Sequence, residues 1–205
     1  MVFAPTLTGL GDRSHLLSAS VDLQTHVQDV LNVLEYEDLG QVVLVGHSYA
    51  GLVISVVADR APERIAHLVY LDAFVPRDGE SLLELLPAPT RAAFVDKANT
   101  RGEGWRVPPQ RIEQYGVREA SDVAWASARL GDQPLLTFEQ PVRLRREPRC
   151  GRTYIACTQF VVREAFRPFA ERAQQEPGWT YHALDTGHDA MITAPDALAA
   201  VLLQV

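Results

Sequence analysis

The sequence predicts a three-layer α/β fold, a mostly parallel sheet with helices on both faces, and three observations carry that prediction. A continuous β-branched run at 41–45 (QVVLV) leads directly into a turn of small residues and then an apolar segment at 52–60. A second apolar run, Ile65–Leu71 (IAHLVYL), follows Pro62 and reads as another strand buried on both faces. Two further strand-like runs separated by a helical pattern appear near the C-terminus, so strand, helix and strand alternate over short connections as in βαβ units.

Taken in order, residues 2–5 form a short β-like run that breaks into the Gly-rich loop 6–12 (TLTGLGD). Asp22 can cap a helix whose apolar positions Val27, Val30, Leu31 and Leu34 recur at three- and four-residue intervals, ending near Gly40. The run 41–45 is expected to be a parallel strand buried on both faces, and 52–60 the helix after the turn. From about 76 to 147, Pro87, Pro89, Pro108, Pro109, Pro134 and Pro141 interrupt short amphipathic pieces such as 81–86 and 122–130, with no clear strand. A helical insertion at this place reads as a cap over the strand ends, where open α/β sheets bind ligands. The strand pattern resumes at 153–158 (TYIACT), a helix is expected over 164–174, a last strand over Trp179–Leu184 and a closing helix over 195–203. All of it fits one domain, residues 1–205.

The totals narrow the function. Hydrophobic residues make up 47% and charged residues 22%, ordinary for a globular chain. A net charge of −7 lacks the basic surface that nucleic acid or an anionic membrane requires, and a small neutral partner fits better. Cys150 and Cys157 have no second pair with which to form a zinc or CxxC site and read as free thiols. The start MVFAPTLTG has no secretory signal and no stretch is long enough to span a membrane, giving a cytoplasmic expectation.

The chemistry is concentrated in Gly46-His47-Ser48-Tyr49-Ala50-Gly51, a G-x-S-x-G turn between a strand and a helix. Such a turn holds its serine in a strained conformation clear of the sheet and needs small residues on either side. The Tyr49 N–H at the helix start would face a developing oxyanion. Ser48 needs a base, and His188, in the loop Asp185-Thr-Gly-His-Asp-Ala-Met191 after the last strand, stands where this arrangement places one, with Gly187 giving the backbone freedom to aim the ring. The other histidines read as packed or surface groups, with His15 retained as a residue that could line the pocket. For the acid two carboxylates remain open: Asp72, immediately after IAHLVYL, and Glu164, after TYIACT at a helix start. Trp105, Tyr115, Trp125 and Phe138 in the insertion are candidates to shape an apolar pocket or simply to form the core of the cap.

With these pieces the chain resembles α/β-hydrolases of the esterase and hydroxynitrile-lyase-like branch, including pyrethroid-hydrolase-like carboxylesterases and plant methylesterases. The resemblance runs through FAPTLTGLGDRSHL at 3–16, VVLVGHSYAGLV at 42–53, VYLDAFVP at 69–76 and TGHDAMITAPDALA at 186–199. It implies cleavage of a small, largely apolar carboxylic ester through an acyl-serine, without metal or organic cofactor, with Ser48 and His188 carried over directly. Where many members have an aspartate after the TYIACT strand, this chain has Gln159, Phe160, Val161 and Val162. Members also usually begin with further strands, a first helix and a His-Gly loop that supplies the second oxyanion N–H. The expectation is therefore an N-terminally truncated form starting at an internal Met1, a poor catalyst, with an exposed sheet edge. The alternative is a variant that rebuilds its sheet as a homodimer. Two other functions stay open: a catalytically impaired remnant or small-ligand-binding protein, and a hydroxynitrile lyase helped by Lys97, the only lysine.

Overall fold

The structure is a computed structural model that describes residues 1–160 and 163–205. In chain order its elements are a 3-10 turn Gly11–Leu16, α1 (Leu23–Tyr36), β1 (Val42–His47), α2 (Ala50–Arg60), β2 (Ile65–Leu71), α3 (Leu82–Leu85), α4 (Ala88–Arg101), β3 (Arg106–Val107), a 3-10 turn Ile112–Tyr115, α5 (Ala120–Ser127), β4 (Gln133–Pro134), α6 (Leu136–Glu139), β5 (Gly151–Cys157), a 3-10 turn Arg163–Ala165, α7 (Arg167–Gln175), β6 (Trp179–Leu184), α8 (Ala190–Thr193) and α9 (Pro195–Leu202). The main sheet has the order β1-β2-β5-β6, every neighbouring pair parallel. Helices α2 and α7 are the crossovers of its two βαβ units. Among the described residues, no helix is long and apolar enough to cross a membrane.

Local chemistry explains the elements that matter for the site. Asp22 caps α1 in a capping box, its side chain accepting from the Thr25 N–H while the Thr25 hydroxyl reaches back. Beyond its other end Arg64 donates to the carbonyls of Leu34 and Leu39, tying the C-terminal turn of α1 to the residue before β2. Helix α2 is buried from Gly51 to Asp59, wedged between the sheet and α1. The central strands β2 and β5 carry the core, with Leu68, Val69, Tyr70, Tyr154 and Ile155 almost wholly buried.

Three expectations need correction. Residues 2–5 form no strand, and Met1 and Val2 are exposed, because no described strand lies beside them to pair with. Strand β1 is not buried on both faces: it is one of the sheet's two edge strands, and Val43 and Val45 are 43% and 40% exposed. The insertion is mostly helical as expected but holds a two-stranded antiparallel ribbon, Arg106 opposite Pro134 and Val107 opposite Gln133. A strand of two residues is too short to show alternation.

Candidate active site

The turn after β1 has the strain its composition implies. Ser48 sits at φ 54°, a left-handed conformation that costs a non-glycine residue energy and persists only where the surroundings fix it. Its N–H donates to Leu71 O, and its carbonyl accepts from the N–H groups of Gly51 and Phe74, which locks the bend against the end of β2. A Cβ at Gly46 would lie 2.7 Å from Ala50 O, and one at Gly51 would lie 2.0 Å from Phe74 O, so neither position admits a side chain. Tyr49 is the N-cap of α2, which places its N–H at the positive end of that helix.

Asp72 follows β2 directly, also in a left-handed conformation at φ 41°, and is 2% exposed. Its N–H donates to Ile155 O at 2.7 Å, its Oδ1 accepts the Cys157 N–H at 3.2 Å, and its Oδ2 lies 2.7 Å from His188 Nδ1. Glu164 is not brought to the histidine. It is exposed in the turn before α7 and pairs with Arg167 at 3.1 Å. Of the two carboxylates left open by the sequence, only Asp72 touches His188. Residues 161 and 162, part of the stretch where many α/β-hydrolases place an aspartate, lie outside the described residues.

His188 is 3% exposed and held on all sides. Its N–H donates to Tyr115 O at 2.7 Å, and its carbonyl accepts from His47 Nε2 at 3.0 Å and from the Cys157 thiol at 3.8 Å. The ring stacks on Phe166 with centroids 4.8 Å apart and meets Phe160, Tyr115 and His47 at 5.1, 5.3 and 4.3 Å. Gly187 serves close approach rather than a special backbone angle: a Cβ there would lie 2.6 Å from Tyr115 O. Among the described residues, no hydrogen bond joins Ser48 Oγ to His188. Such bonds are often long until substrate binds.

Burial sets the charges here. It pushes the Asp72 carboxyl up to about 7 against the pull of the Cys157 N–H, and it pushes the His188 imidazole down to about 3. Asp189 is raised to about 6 by burial and by the neighbouring Asp72 charge, and its Oδ2 has no hydrogen-bond partner. The arrangement therefore favours an uncharged imidazole, the form that can accept a proton.

The other expected residues divide. Tyr115 lies against the His188 ring, and Phe138 is buried between Tyr49 and Phe94, with centroids 5.6 and 5.8 Å away. Trp125 is 53% exposed under Arg129, Trp105 sits beside the ribbon with Arg106 over its ring, and His15 is exposed in the first 3-10 turn, so the structure joins none of these three to the dyad. Lys97 donates to Pro109 O and Gln110, away from His188. Sequence reasoning missed the contacts of His47, Cys157, Phe160 and Phe166 with His188. Only the position of His47 beside the serine could have marked it. Among the described residues, no group of three or more potential metal ligands occurs.

Comparison with known proteins bears on the family and the fold. The chain is 37% identical over 215 residues to the carbendazim hydrolyzing esterase of Nocardioides sp. (strain SG-4G), covering 97% of this chain and 85% of that one. It is 39% identical over 80 residues to the pyrethroid hydrolase of Sphingobium wenxiniae, covering 38% of this chain and 28% of that one. Among solved structures, an extracellular alpha/beta-hydrolase from a Paenibacillus species superposes with a TM-score of 0.82 at 19% identity, covering 98% of this chain and 85% of that one. A pyrethroid hydrolase from Sphingobium faniae JZ-2 superposes with a TM-score of 0.72 at 26% identity, covering 98% and 84%. The model of the alpha/beta hydrolase family matches residues 2–201, and the chain belongs to that family.

Proposed function

We propose that the protein hydrolyses a small, largely apolar carboxylic ester through an acyl-serine on Ser48. The observation that carries this reading is the 2.7 Å contact between His188 Nδ1 and Asp72 Oδ2 beside a serine strained to φ 54°. The esterase named among its relatives, 37% identical across nearly the whole chain, supports an ester as substrate. The apolar side chains around His188, Phe160, Phe166 and Tyr115, support an apolar one.

In this mechanism His188 Nε2 takes the Ser48 hydroxyl proton as Oγ bonds to the ester carbon. The carbonyl electron pair moves to oxygen, where the Tyr49 N–H donates to it. Collapse of the tetrahedral adduct expels the alcohol, which carries away the proton from Nε2, and leaves the acyl group on Oγ. Water then attacks the acyl carbon, gives a proton to Nε2, and the acid departs as Oγ recovers that proton. Asp72 holds the Nδ1–H tautomer throughout. Two free thiols accord with a cytoplasmic setting.

The test is labelling with a fluorophosphonate followed by mass spectrometry, beside turnover of aryl and alkyl esters, on the wild type and on Ser48→Ala. Labelling confined to Ser48, with turnover lost in Ser48→Ala, is the expected result. A folded chain that neither labels nor turns over ester would overturn the reading and favour a ligand-binding relative of the hydrolases.

A further inference from the structure

We propose that His47 is a positioning residue, whose Nε2–H donates to the carbonyl of His188 and fixes the base relative to the nucleophile that follows His47 in the chain. This rests on the reading of His188 as the base.

The hydrogen bond spans 3.0 Å between residues 141 apart in sequence. A carbonyl can only accept, so Nε2 must carry the hydrogen, which makes His47 the Nε2–H tautomer when neutral. Burial and the adjacent His188 keep it neutral, holding its pKa down to about 3. The rings stand 4.3 Å apart, so two imidazolium charges could not coexist there.

The topology gives this bond its importance. His47 closes β1, whereas His188 follows β6, and β2 and β5 lie between those strands. Asp72 ties the base to the end of β2, and Tyr115 ties the His188 N–H to the insertion. Neither reaches β1. The contact from His47 is the one described hydrogen bond that joins the base's loop to the strand carrying Ser48, and it acts one peptide unit from the nucleophile. The Cys157 thiol reaches the same carbonyl at 3.8 Å, but S–H is a weak donor and Cys157 lies on β5.

The experiment starts with the wild type. The imidazole ¹⁵N shifts of His47 should report the Nε2–H tautomer, and a hydrogen on Nδ1 alone would overturn the proposal without any variant. Two substitutions then separate positioning from packing: His47→Leu removes the donor, and His47→Gln keeps an N–H at similar reach. A misplacement of about 1 Å in a catalytic group can cost on the order of 100-fold, so His47→Leu should lower kcat by roughly 10- to 100-fold. KM should stay within about twofold, because substrate binding is not what the bond serves. His47→Gln should recover most of the loss. Unchanged kcat in His47→Leu, or a His47→Gln variant no better than His47→Leu, would overturn the proposal. If the wild type neither labels with fluorophosphonate nor turns over ester, the hydrolase reading fails, while the tautomer measurement still decides whether the hydrogen bond exists.

Discussion

At the scale of the residue, the pairing of Asp72 with His188 sets how activity should depend on pH. The two share one hydrogen bond, and burial disfavours charge on both, raising the carboxyl to about 7 and lowering the imidazole to about 3. As pH falls through about 7 the pair takes up one proton and becomes neutral overall. Whichever partner holds that proton, Nε2 no longer offers a free lone pair. We therefore expect kcat/KM to rise with pH through about 7 and then level off. The same pair should contribute little to the pH dependence of stability between the ordinary pKa values of 3.8 and 6.5. There the folded pair holds one proton on the carboxyl, the unfolded pair holds one on the imidazole, and equal proton numbers give no slope. Asp72→Asn should lower kcat about 10³–10⁴-fold by losing the acceptor that holds the tautomer. Glu164→Gln should leave the profile unchanged. Rate profiles of the three proteins on one aryl ester check this, and a large loss in Glu164→Gln would point to the wrong acid.

At the scale of the element, the site depends on backbones that touch where side chains are absent. Gly116, at φ 93° after the turn Ile112–Tyr115, would put a Cβ 2.7 Å from Gly187 Cα, while Gly187 would put one 2.6 Å from Tyr115 O. The insertion thus rests directly on the loop that presents His188. Gly187→Ala should force Tyr115 O away from the His188 N–H, costing about 1–3 kcal/mol of stability by overpacking. Thermal unfolding and ester turnover measured together would show it, with activity falling at temperatures where the variant is still folded. This contact also marks where the sequence stops being legible. Strands β2 and β6 are read at their observed bounds, Ile65–Leu71 and Trp179–Leu184, because apolar runs flanked by turn residues are local signals. The proposed nucleophile Ser48 and base His188 are picked out by the turn and the loop that present them. The choice between Asp72 and Glu164 is not, since it depends on which strand end faces the histidine across the sheet. The role of Gly187 is misread as freedom to aim the ring, because its neighbour Tyr115 lies 72 residues earlier in the chain.

At the scale of the whole molecule, the sheet is unevenly covered. Strands β2 and β5 are enclosed, whereas among the described residues β1 pairs with β2 alone and presents Val43 and Val45 to solvent. The run QVVLV has the composition of an interior strand, and composition cannot reveal that among the described residues it pairs on one side only, which is why its burial is misread. An edge with unpaired N–H and C=O groups and apolar side chains invites pairing with another strand. The net charge of −7 opposes association over long range, but a Debye length of about 8 Å at physiological salt leaves contact-range pairing little affected. We therefore expect the 205-residue chain to associate with itself through β1, more strongly as salt increases. Val43→Lys should shift it toward the monomer in sedimentation velocity, because a lysine on an edge strand must stay solvated and so disfavours pairing. Val43 lies five residues before Ser48, at the far end of β1, so fluorophosphonate labelling should persist in the variant. A wild type that stays monomeric at high salt and high concentration would mean that β1 tolerates water on its open side, and the strained turn at Ser48 would then depend on β2 and α2 alone for its support.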